Sequence, residues 1–90
     1  MKMTEEYKTN WAEDESVESA VLRQLLDLHP VRLTLEELAR EFGAGNTDFA
    51  ANDAIERAVR DLAGAGLLHR GEEFVVPTRA ALRFNELLDR

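Results

Sequence analysis

The sequence predicts an α+β domain: a three-helix core, a short sheet of two to three strands and a C-terminal helix. Three observations carry this. Apolar residues recur at the three- and four-residue spacing of helices in separate segments. Two threonines, Thr34 and Thr78, stand where helices start. Between them, Leu67-Leu68-His69-Arg70 and Phe74-Val75-Val76 flank a glycine-containing turn, the pattern of a β-hairpin.

Ninety residues carry one domain, because a second core would have too little surface to bury. With 44% hydrophobic and 32% charged residues, the chain has the composition of a folded protein.

Residues 1–15 show no clean period and end in the run Glu13-Asp14-Glu15, so a flexible or loosely helical acidic arm is expected there. Tyr7 and Trp11 stand four apart, on one face if the arm is helical. From Ser16 the pattern changes. Val17, Ala20, Val21, Leu25 and Leu28 recur at helical spacing, and Pro30 stops the helix by pushing His29 out of the helical region.

Val31-Arg32-Leu33 is too short for a helix and reads as a three-residue strand. Thr34-Leu35-Glu36-Glu37 is a capping box, in which hydroxyl and carboxylate each satisfy the other residue's free amide. The short helix that follows turns Leu35, Leu38, Ala39 and Phe42 inward and ends at Gly43. Residues 43–48 are a turn by composition. A third helix then carries Ile55, Ala58, Val59 and Leu62 on one face, capped by Asp48 or, preferably, by Asn52 with an extra turn before it. If Gly66 takes a left-handed conformation after that helix, Leu62 and Leu67 fall where the apolar contact of a Schellman cap belongs. Thr78 caps the last helix, whose apolar residues are Ala81, Leu82, Leu87 and Leu88.

The order helix, short strand, helix, turn, helix, hairpin, helix resembles the winged helix-turn-helix proteins of bacterial and archaeal regulators. The matching segments are Leu33 to Gly43, Ala54 to Leu68 and Phe74 to Thr78, and the resemblance covers residues 16–90. It implies that the third helix is a recognition helix, that the hairpin is a wing, and that the chain is a regulator binding duplex DNA as a dimer paired through the first helix, the last helix or the arm. A cytoplasmic location is expected from the lack of cysteine and of an apolar run at the start. The candidate contacts are Asn52, Arg57, Arg60 and Arg70, since arginine suits guanine or phosphate and asparagine suits adenine.

Charge argues the other way. The net charge is −7, and affinity for DNA rests largely on cations meeting phosphates. Residues 1–18 hold Lys2 and Lys8 against six acids, a net of −4; the remainder holds nine arginines against twelve acids. Opposite the core face of the third helix lie Asp53, Glu56, Arg57, Arg60 and Asp61, with Asp53 four before Arg57 and Glu56 four before Arg60, the spacing of intrahelical ion pairs. The hairpin turn adds Glu72 and Glu73. These features point to an alternative, an acidic interaction module for a basic protein partner or a DNA mimic. A continuous arginine stripe along the third helix and wing favours DNA, and an interrupted one favours protein.

Catalysis is not expected. There is no cysteine, the two serines sit at a helix start, and the two histidines fall on different segments, so neither a catalytic triad nor a zinc site can be assembled. The glycines lack the lysine of a phosphate-binding loop. No cofactor is implied. No stretch approaches the roughly 18 apolar residues of a membrane span.

Overall fold

The computed structural model describes residues 2–42 and 49–89, with side chains from Asp14 onward. Its elements are α1 (Lys2–Leu28), β1 (Leu33–Thr34), α2 (Leu35–Glu41), α3 (Phe49–Gly64), β2 (Leu68–Arg70), β3 (Phe74–Pro77) and α4 (Arg79–Leu88). The fold is α+β, with the three strands in one antiparallel sheet of order β1-β3-β2.

Helix α1 begins earlier than the sequence pattern suggests. It runs unbroken from Lys2, so the expected arm and first helix share one continuous backbone helix. The residues Lys2 to Leu28 include no glycine or proline, so nothing interrupts propagation of the helical hydrogen bonds past Ser16. Val21 and Leu25 are fully buried, and Val17, Leu22 and Leu28 pack at the edge of the core; Ala20, expected inward, is exposed.

The capping box of α2 forms as read. The Thr34 amide donates to Glu37 Oε1 at 2.9 Å and the Glu37 amide donates to Thr34 Oγ1 at 3.1 Å. β1 starts two residues and ends one residue later than the expected Val31–Leu33, because Leu33 and Thr34 are the residues that meet Val75 and Phe74 of β3. Phe42, expected in the core, is 38% exposed: α2 ends at Glu41, so Phe42 is the cap residue and leaves the inward stripe.

Helix α3 starts at Phe49, making Asn52 a residue of its opening turn and not its cap. Its end is a Schellman motif. Gly66 has φ 85°, its amide donates to the Ala63 carbonyl at 3.1 Å, and the Leu67 amide donates to the Leu62 carbonyl at 2.9 Å. Thr78 then ties the hairpin exit to this corner. Its hydroxyl donates to the Gly66 carbonyl at 2.8 Å, its amide donates to the Leu67 carbonyl at 3.0 Å, and its Oγ1 accepts from the Ala81 amide to start α4.

The core gathers Val21, Leu25, Leu33, Leu38, Ile55, Ala58, Val59, Leu62, Leu68 and Val75. α4 contributes only Ala81 as a fully buried residue, and Phe84, Leu87 and Leu88 are exposed. The expected turn over residues 43–48, the stop at Gly43, the Asp48 cap and the side chains of Tyr7 and Trp11 lie outside the described residues. Among the described residues no helix is long and apolar enough to cross a membrane.

Candidate functional site

The four sequence-predicted contact residues come from α3 and β2, and the fold brings three of them to one side of α3. At about 100° per residue, Asn52, Asp53, Glu56, Arg57 and Arg60 fall within an arc of about 140°. That arc lies away from the buried Ile55, Ala58, Val59 and Leu62. The hairpin delivers Arg70 beside it, with Arg70 Nη2 at 4.0 Å from Glu56 Oε1. Phe49, 78% exposed, stands at the start of the same face, where it borders a shallow recess with Ala50, Asn52, Asp53 and Glu56. Asn52 itself is half-buried on the flank of the arc.

Ion pairing divides these residues differently from the sequence spacing. The Asp53 and Arg57 pair forms, with Arg57 Nη1 donating to Asp53 Oδ2 at 2.9 Å. A second carboxylate, Asp14 of α1, approaches Arg57 Nη2 at 3.5 Å. The expected Glu56 and Arg60 pair is replaced, because packing of β2 against α3 presents Arg70 to Glu56 from outside the helix. Arg60 is exposed and makes no ion pair with any other described residue.

The flank of α3 that meets α1 is acidic. Burial, reinforced by the carboxylates of Asp61, Asp14 and Glu15, pushes the Glu18 carboxyl above its ordinary range. At the hairpin turn Glu72 and Glu73 are both exposed. Arg57 and Arg70 are therefore interleaved with Asp53, Glu56 and Asp14, and Glu18 and Asp61 add acids on the flank towards α1.

One grouping is absent from the sequence reading. His29 and His69 line a single open depression together with Val31, Arg32, Phe74 and Val76, because pairing of β1 with β3 sets the α1–β1 connection beside the hairpin. No local signal announces this, since the two segments lie forty residues apart. Among the described residues no group of three or more His, Asp or Glu side chains is placed to hold a metal ion.

Comparison of the chain with protein-family models, curated proteins and solved structures gives no match. The chemistry of the face thus rests on its own residues. It offers an exposed aromatic ring, two arginines, Arg57 and Arg70, beside carboxylates, a third, Arg60, with no ion pair to another described residue, and a neutral balance of charge along the outward arc of α3.

Proposed function

We propose that the chain is a winged-helix binding module that engages a protein surface through the outward arc of α3 and the base of the hairpin. Two features support the winged-helix reading. The helices, the hairpin and the short strand follow one another in the order that resemblance requires, and β3 lies between β1 and β2.

The observation that carries the choice of partner is the alternation of sign: Arg57 with Asp53 and Asp14, and Arg70 with Glu56. A duplex presents phosphates of one sign, and a face whose cations alternate with carboxylates meets them with repulsion as well as attraction. Each exposed pair holds by only about 0.3 to 0.5 kcal/mol, so a phosphate can displace it, but the displaced carboxylate stays at the interface. Against a protein surface the same alternation is useful, since complementary mixed charges select a partner and its register. Phe49, Arg57, Arg60 and Arg70 are also of the residue classes that anchor protein interfaces.

One observation favours a second reading, a duplex-DNA contact. Arg57, Arg60 and Arg70 come together from two elements onto one side of the molecule, and Arg60 has no counter-ion among the described residues. Fluorescence polarisation with a labelled mixed-sequence duplex separates the two. At about 50 mM salt, where phosphate contacts are strongest, the protein reading expects no saturable binding. Micromolar binding that Arg60→Ala abolishes overturns it in favour of DNA.

A further inference from the structure

We infer that the partner fitted by the α3 face is a second copy of this chain, its α3 packed antiparallel on the first about a two-fold axis between Glu56 and Arg57. This rests on the reading of that face as a protein-binding surface, and it names the occupant.

The outward arc of α3 is self-complementary. Phe49, Asp53, Arg60 and Gly64 lie along one stripe only about 60° wide at 100° per residue. An antiparallel two-fold places residues symmetric about its axis opposite each other, and each such contact then occurs twice. Asp53 of one copy comes opposite Arg60 of the other, so Arg60, which has no counter-ion among the described residues of the single chain, gains one. Phe49, the most exposed of the large apolar side chains, comes opposite Gly64. A side chain at Gly64 would meet nothing within 4 Å, so the helix surface there is flat and open to a ring.

The remaining charges fit the same arrangement. Close to the axis the like residues approach, Glu56 near Glu56 and Arg57 near Arg57. Each already carries its opposite within its own chain, Arg70 at 4.0 Å from Glu56 and Asp14 at 3.5 Å from Arg57. Two chains of net charge −7 repel at most of their surface. The stripe is where that repulsion is least, because Asp53 balances Arg60 along it. The contact runs along a helix of 16 residues, about 24 Å, which is small against the roughly 800 Å² per partner of a standard interface, so the pair is weak and concentration-dependent.

Sedimentation velocity over a concentration series reaching the millimolar range tests this, with charge exchange as the discriminating arm. Wild type is expected to move from one chain to two as concentration rises. Arg60→Asp places two acids opposite each other, Asp53→Arg places two arginines opposite each other, and each variant alone should lose association by about tenfold or more. An equimolar mixture of the two should regain it, because every opposed pair is again of unlike sign. Restoration by mixing also proves both variants folded. The inference is overturned if wild type stays a single chain throughout, if either variant associates like wild type, or if mixing restores nothing. It is likewise overturned if Phe84→Glu on α4, and not the α3 variants, separates the pair. If a different protein binds the wild-type chain and is lost on Arg60→Asp while the chain alone stays single, the inference falls and the proposed function stands. DNA binding abolished by Arg60→Ala removes the proposed function itself.

Discussion

Single residues set the ends of the elements, and their effects are local enough to have been read from spacing. Thr34 and Glu37 satisfy each other's amides three residues apart, so Thr34→Ala should cost about 1 kcal/mol, measured as a lower urea midpoint at unchanged slope. The hydrogen bonds donated to Glu37 by Thr34 hold its carboxyl below the usual range, so its contribution is present above that range and is lost as pH falls. Glu18 has the opposite sign. Its carboxyl is raised by burial and by neighbouring acids, so protonation favours the folded state, and stability falls as pH rises through the raised value. Glu18→Gln should therefore remove the part of the wild type's decline in stability expected as pH rises above the ordinary glutamate range, and should melt higher at neutral pH. An equal or lower melting temperature for that variant would show that the acidic flank does not strain the α1–α3 contact. Gly66, at φ 85°, is the one described residue whose backbone demands glycine, and Gly66→Ala should destabilise by about 1 kcal/mol or more.

At the level of elements, each helix has one face fixed by the core and another left to chemistry. On α1 the fixed face is Val21 and Leu25, both fully buried, and Leu25→Ala should cost about 2 to 5 kcal/mol. In a domain of this size that is a large share of the total, and the circular-dichroism melt should show an unfolded fraction near room temperature. Periodicity identified Val21 and Leu25 and the end at Leu28 correctly, yet it turned the exposed Ala20 inward and misplaced the start of the helix. It started α1 at Ser16, where the apolar pattern starts, although a polar helix continues wherever no breaker stands. It also turned Phe42 inward, since a period cannot tell the last helical residue from the cap that follows it. On α4 the apolar residues divide: Ala81 is buried, whereas Leu87 and Leu88 are exposed.

For the whole molecule, charge decides more than shape. The net charge of −7 is spread so that α1 sets acids beside α3, and the hairpin turn carries two more, Glu72 and Glu73, both exposed. A duplex titration at low salt should accordingly give no saturable signal, whereas self-association should be present. The two measurements answer different questions about the same arc of α3. One asks whether its arginines act as a cationic stripe, the other whether they act as half of a mixed-charge contact.

The sequence by itself determined the α+β class, the order of elements, the capping box at Thr34, the corner at Leu62-Gly66-Leu67 and most of the core, because each depends on residues within about one helical turn of each other. It also determined that α3 has an outward face of mixed charge. Only the tertiary structure decided how those charges pair. Arg70 reaches Glu56 through the packing of β2 on α3, and Asp14 reaches Arg57 through the packing of α1 on α3, which leaves Arg60 without a counter-ion among the described residues. Spacing along a chain ranks neighbours by sequence distance, while an exposed carboxylate pairs with whichever cation the fold brings within about 4 Å.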